Sequence, residues 1–284
     1  MEFRVERPDC RLYCEERGRG PLLLLIHGVA CDSGYFSRAA KILAADYRVV
    51  TYDRRGYSRS VAADTADYSA GVQAEDAACI IRQMDCGPAF VAGCSAGAIL
   101  VGMLCLRHPE LVRMAVMHEP IFADVPGTEE ERGNFLGEIH ACRESGRISL
   151  AMETFIGAMG GVDTRASKKS LKDQAQDLEN MRVFVCREAD SMLGFSARDA
   201  AEIAVPAVVL AGECDRGGLF RRAAEEGAGL AGLPVLVAPG FHNLAQDLPE
   251  EYAVFLAGIF ALEDAEVLKS VRRLRPDQNP CDFM

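Results

Sequence analysis

Short, mostly apolar runs alternate along this chain with longer stretches in which apolar residues recur every three or four positions. The runs at 22–26, 47–52, 88–92, 112–117, 206–211 and 234–238 are five or six residues long. That is the signature of strands buried on both faces. The stretches at 35–45, 68–84, 96–106, 220–230 and 249–262 carry a helical stripe or are rich in Ala, Leu and Met, which predicts helices. Residues 3–17 alternate charged and apolar side chains around Pro8-Asp9 and read as an antiparallel hairpin at a sheet edge. Strands alternating with helices at this spacing predict an α/β architecture, a mostly parallel twisted sheet with helices on both faces.

The rhythm breaks after residue 117, and no buried strand follows until 206. The gap carries helical signals instead. Thr128-x-x-Glu131 has capping-box spacing and precedes Phe135, Ile139 and Cys142. A second stripe runs Met152, Phe155, Ile156, Met159, and a third Leu171, Ala175, Leu178, Met181. The expected organisation is a core made of 1–125 and 201–265, a helical insertion at 126–200, and a tail at 266–284 containing Arg272-Arg273-Leu274-Arg275. A homodimer contact through that tail is left open. No internal repeat is present.

Composition narrows the function. The hydrophobic fraction of 49% over 284 residues is ample for a sizeable core. The net charge of -11 argues against nucleic acid or an anionic membrane as partner, since both reward a basic surface. The N-terminus alternates charge with apolar residues and has no signal-peptide core. No stretch reaches the roughly 18 apolar residues of a membrane span, and a cytoplasmic location is expected. The 11 cysteines are odd in number, scattered and without C-x-x-C spacing, so most are expected as buried reduced thiols and none as part of a metal site. Gly93-x-Ser95-x-Gly97 is not a nucleotide fingerprint, no Walker pattern occurs, and no cofactor is expected.

The candidate chemistry centres on Gly93-Cys94-Ser95-Ala96-Gly97. The apolar run before it and the Ala- and Leu-rich stretch after it put the serine on a sharp strand-to-helix turn. There it occupies a strained backbone and faces the N–H groups of a helix start. With this G-x-S-x-G, His27-Gly28-Val29-Ala30 after the 22–26 run, and Asp53-Arg54-Arg55-Gly56-Tyr57-Ser58-Arg59-Ser60 after the 47–52 run, the chain resembles the α/β-hydrolase superfamily over about 2–262. Ser58 departs from that family's D-x-R-G-x-G-x-S turn, where a second glycine stands.

The resemblance implies an α/β-hydrolase fold whose helical insertion is a lid, and a nucleophile, acid and base in the chain order Ser95, Asp215, His242. By position it also implies an oxyanion hole made by the N–H groups of Val29 and Ala96. Glu119 ends a core strand as well and is the alternative acid, as in some family members; Glu213 is a weaker one. His27 is expected to brace the oxyanion loop, His118 to be buried and hydrogen-bonded, with a position facing the pocket as the alternative, and His108 and His140 to be surface or packing residues. Cys31, Cys94 and Cys214 lie beside these loops, Cys94 being expected to point away from the pocket. The expected function is a cofactor-free serine hydrolase of a carboxylic ester or related apolar acyl compound. Alternatives are a carbon–carbon bond hydrolase, a perhydrolase or lyase, and a non-catalytic small-molecule receptor. Serine at 95 and the absence of Trp disfavour the branches that use an aspartate nucleophile.

Overall fold

A computed structural model describes residues 1–126, 128–158, 170–192, 194–213 and 218–262. The six buried runs and the N-terminal hairpin join in one nine-stranded sheet, ordered β1-β2-β4-β3-β6-β7-β8-β9. The hairpin β1 (Glu2–Arg7) and β2 (Cys10–Arg17) is antiparallel, and β2 pairs antiparallel with β4 (Arg48–Tyr52). The remaining five, β3 (Leu22–Ile26), β6 (Ala89–Cys94), β7 (Val112–His118), β8 (Ala207–Gly212) and β9 (Val235–Ala238), continue from β4 in parallel. A two-residue strand, β5 (Val61–Ala62), pairs with β2; two residues carry too little pattern to be legible in a sequence.

The core lies on both faces of this sheet. Along β3, Leu22, Leu24 and Ile26 pack into one apolar cluster with α2 (Ala70–Met84) and α3 (Ala96–Arg107), while Leu23 and Leu25 pack into a second with α1 (Ser37–Leu43) and α11 (Pro249–Ala261). Successive strand side chains point to opposite faces, so a strand covered on both sides must be apolar throughout. Helix ends follow their local chemistry. Ser69 caps α2 by accepting from the Val72 amide, and Asp85 ends it in the left-handed conformation, φ 48°.

Between β7 and β8 the chain forms α4 (Glu129–Ser145), α5 (Ile148–Ala158), α6 (Leu171–Val183), a π-helical turn (Phe184–Glu188), α7 (Ala189–Met192) and α8 (Ala197–Ala201). Two local expectations fail here. Thr128 precedes α4 but makes no side-chain cap; its hydroxyl donates to the Val125 carbonyl instead, 2.9 Å. A hydroxyl that already serves a turn is lost to the helix start. On α6, Leu171 and Ala175 are exposed and only Met181 of the expected stripe is buried. The capping box in this region is at Ser196 and Asp199, ahead of α8. After β8 come α9 (Leu219–Ala231) and the single turn α10 (Leu244–Asp247). Met159 and the tail from 263 onward lie outside the described residues.

Candidate active site

Each strand of a parallel sheet hands its following loop to the same edge. The loops after β3, β4, β6, β7 and β9 therefore converge, and the candidate residues sit on them. Ser95 is the hinge between β6 and α3, with φ 57° and ψ −122°. Its amide is held by the His118 carbonyl at the end of β7, 2.8 Å away. This strained turn exists only because its neighbours lack side chains. A Cβ on Gly93 would lie 2.3 Å from the Gly97 carbonyl oxygen, and one on Gly97 would lie 2.1 Å from that of Ile26. Gly28 matters in the same way, since a Cβ there would stand 3.2 Å from the Ser95 Cβ.

Glu119 follows β7 with φ 48°, a backbone turn that swings its side chain between the ends of β6 and β8. Its Oε1 accepts from the Gly212 amide at 2.8 Å, and its Oε2 lies 2.5 Å from His242 Nδ1. Burial works against this carboxylate, but the His242 hydrogen bond and the Gly212 amide hold its pKa below the usual value. An Nδ1 that donates to a carboxylate leaves Nε2 as the basic atom of the ring. Ser95 and His242 line one small cavity together with Gly28, Val29, Cys31, Tyr35, Cys94, Phe155 and Asn243. Its empty volume is about 240 Å³, open mouth included. Ser95 Oγ forms no hydrogen bond among the described residues. Neither the Val29 nor the Ala96 amide donates to an acceptor there.

Among the described residues the carboxylate on the imidazole is thus Glu119, the less favoured of the two sequence candidates. Asp215 and Cys214 lie outside the described residues. Cys94 is among the residues around the cavity, and its buried thiol lies 3.5 Å from the Tyr35 hydroxyl and from the His242 carbonyl.

Residues 21–139 match the family model described as alpha/beta hydrolase fold. The chain has the α/β-hydrolase fold. An α/β-hydrolase from Sphaerobacter thermophilus superposes with a TM-score of 0.69 at 23% identity, covering 91% of this chain and all of the other (100%). An uncharacterized hydrolase of Bacillus subtilis, YraK, is 42% identical over 118 residues, which is 41% of this chain and 44% of that protein. The 2-(acetamidomethylene)succinate hydrolase of Mesorhizobium japonicum is 33% identical over 113 residues, 40% of either chain. The matched stretch spans less than half the length of these curated relatives.

Behind the cavity lies a buried polar network with no signature in the sequence. Arg54 and Glu188 are wholly buried and paired, Nη1 to Oε1 at 3.0 Å, with Gln73 and Tyr57 hydrogen-bonded to the same carboxylate. Burial alone would pull the Arg54 pKa down, but the facing Glu188 charge carries it above its ordinary value. His27 Nδ1 lies 2.8 Å from the Gly28 carbonyl, and His27 Nε2 accepts from the Arg54 amide at 2.9 Å. One ring nitrogen therefore donates and the other accepts, as a neutral ring requires. Burial and the Arg54 charge push its pKa down to about 3.

His118 is buried with its ring centroid 6.0 Å from that of His242, but contrary to the expected hydrogen-bonded role neither of its nitrogens has a hydrogen-bond partner among the described residues. Burial lowers its pKa to about 4. His108 pairs with Glu75 at 2.8 Å and His140 with Asp190 at 2.6 Å, both away from the cavity. Ser58 keeps a positive φ of 44° without glycine, its hydroxyl donating to Asp32 at 2.7 Å. None of the described cysteines forms a disulfide, and Cys10, Cys14, Cys31, Cys94, Cys105 and Cys142 are buried. Among the described residues no three His, Cys, Asp or Glu side chains group as a metal site, and no helix is long and apolar enough to cross a membrane.

Proposed function

We propose that this protein is a cofactor-free serine hydrolase that cleaves a carboxylic ester or related acyl compound through an acyl-enzyme on Ser95. The observation that carries this reading is the Glu119–His242 contact at the wall of the cavity that Ser95 also lines. In this account His242 Nε2 takes the proton of Ser95 Oγ as that oxygen attacks the carbonyl carbon. Glu119 holds the ring in its Nδ1–H tautomer and stabilises the imidazolium. The tetrahedral oxyanion is received by the Val29 and Ala96 N–H groups, and the same ring protonates the leaving alkoxide. Water then attacks the acyl-enzyme with His242 again as base. The missing Ser95–His242 hydrogen bond does not weigh against this, because such bonds often tighten only with substrate bound.

The relatives named hydrolase support the same class. Phe155 of α5 reaches the cavity wall, which supports a lid role for the inserted helices. A series of 4-nitrophenyl esters from acetyl to octanoyl tests the reading. Turnover of at least one of these esters should be measurable and should vanish in Ser95→Ala. Equal rates for wild type and Ser95→Ala on every ester would overturn it.

A further inference from the structure

The carbonyl of Gly28 and the N–H of Val29 belong to the same peptide unit, so whatever grips the carbonyl also aims the amide. The Gly28 oxygen accepts twice: from His27 Nδ1 at 2.8 Å and from Arg54 Nη2 at 3.1 Å. The second of these donors is a full charge held in a dry interior. Arg54 is kept there by Glu188, which receives Nη1 at 3.0 and 3.2 Å and Nη2 at 3.2 Å. Gln73 closes the network, accepting from Arg54 Nη1 at 2.8 Å and donating to Glu188 Oε1 at 2.9 Å. The Tyr57 hydroxyl donates to Glu188 Oε2 at 2.8 Å, and the Tyr57 ring lies 4.4 Å from the Arg54 guanidinium carbon. Arg54, Gln73 and Tyr57 belong to the sheet-and-helix core, whereas Glu188 belongs to the π-helical turn of the insertion. Such π-helical turns inside helices are frequent at functional sites.

We propose that Glu188 is a positioning residue for the oxyanion hole, contributed by the helical insertion and acting through Arg54 on the Gly28–Val29 peptide. A cation on the carbonyl oxygen fixes the plane of the peptide and draws electron density toward that oxygen. The Val29 N–H becomes a better donor at the place where negative charge develops. Seating of the insertion and competence of the hole are then one event. The Glu188 carboxylate makes the closed arrangement tolerable for the buried Arg54 charge, and without it that guanidinium has no counter-ion among the groups it touches. The inference rests on the serine-hydrolase reading above, since it presumes that an oxyanion forms beside Val29.

The test compares an ester with its thionoester, in which sulfur replaces the carbonyl oxygen and accepts hydrogen bonds poorly. Wild type and Glu188→Gln are assayed on 4-nitrophenyl acetate and 4-nitrophenyl thionoacetate, with thermal melts of both proteins. Loss of one oxyanion donor costs about 10²- to 10³-fold in kcat, so misaiming it should cost on the order of tenfold. Glu188→Gln should lower kcat on the oxoester by that factor with KM within about twofold. The thionoester rate should hardly change, so the oxo-over-thiono preference shrinks. An equal loss on both substrates, or no loss on either, overturns the proposal and leaves Glu188 a packing residue. If Glu188→Gln does not fold, Tyr57→Phe decides. It removes one hydrogen bond from the same carboxylate and should shift the preference in the same direction by a smaller factor, an unchanged preference overturning the proposal. A wild type that neither hydrolyses the ester nor labels with a fluorophosphonate would sink the serine-hydrolase reading, and this inference with it. An active, labelled wild type with an unchanged preference in the variant sinks this inference alone.

Discussion

His242 Nδ1 lies 2.5 Å from Glu119 Oε2, although 123 positions separate the two residues along the chain. The contact depends on a positive φ at Glu119. That turn brings the side chain off the end of β7 and across to the Gly212 amide at the end of β8. The carboxylate is therefore clamped by a backbone donor on one oxygen and by the imidazole on the other, and it can hold the ring in a single tautomer.

Replacing this acid should be the costliest conservative change after the nucleophile and base. Glu119→Gln keeps the shape but loses the charge and leaves the wrong tautomer, for which a fall in kcat of about 10³- to 10⁴-fold is expected. Asp215→Asn should cost less than about tenfold under the same assignment. Steady-state rates on a short-chain ester compare the two, and a larger loss in the Asp215 variant would return the acid to the loop after β8.

Much of this was legible in the chain, and the divide has a physical basis. A strand covered on both faces has to be apolar throughout, so β3, β6, β7 and β8 stand out as runs. The elbow stood out because a turn that tight excludes side chains at 93 and 97. Glu119 is hard to prefer over Asp215 from the sequence, since both follow apolar runs and only the backbone φ at Glu119 brings its carboxylate to His242. Glu188 left no trace at all. It lies in a turn with Arg187 beside it and looks like any surface carboxylate; only the meeting of distant elements buries it against Arg54. The inserted helices were foreseen as helices, yet α6 turns Leu171 and Ala175 outward, because an apolar residue at helical spacing does not say which neighbour is present to cover it.

Stability should fall on mild acidification. Burial holds the pKa of His27 at about 3 and that of His118 at about 4, whereas an unfolded imidazole takes up its proton near pH 6.5. The folded protein stays neutral at both rings, so unfolding takes up protons. The stabilisation is fully present above about pH 6.5 and is lost as the pH drops toward the folded values. Between about pH 6 and 5, where carboxylates remain ionised, the uptake approaches two protons, or about 3 kcal/mol per pH unit. Urea unfolding at pH 7, 6, 5.5 and 5 measures the slope, and His118→Phe should roughly halve it. Stability that is flat from pH 7 to 5 would contradict neutral, buried rings.

Two glycine-to-alanine changes should have opposite signs. Gly97→Ala forces a Cβ to 2.1 Å from the Ile26 oxygen, a backbone clash expected to destabilise by about 3 kcal/mol or more and to abolish activity. Gly137→Ala, in the middle of α4 with nothing within 4 Å of the new carbon, should stabilise by roughly 0.5–1 kcal/mol through the unfolded chain. Thermal and urea melts of the two proteins report both values.

The nucleophile itself is open to one direct measurement, the intact mass and peptide map of the protein after reaction with a fluorophosphonate. A single phosphonyl adduct on Ser95, lost in Ser95→Ala and slowed by about 10³-fold or more in His242→Ala, is the result expected of a serine that an imidazole can deprotonate beside a prepared oxyanion hole. Folded wild-type protein that takes up no label, or takes it up equally in Ser95→Ala, would contradict the account at its centre.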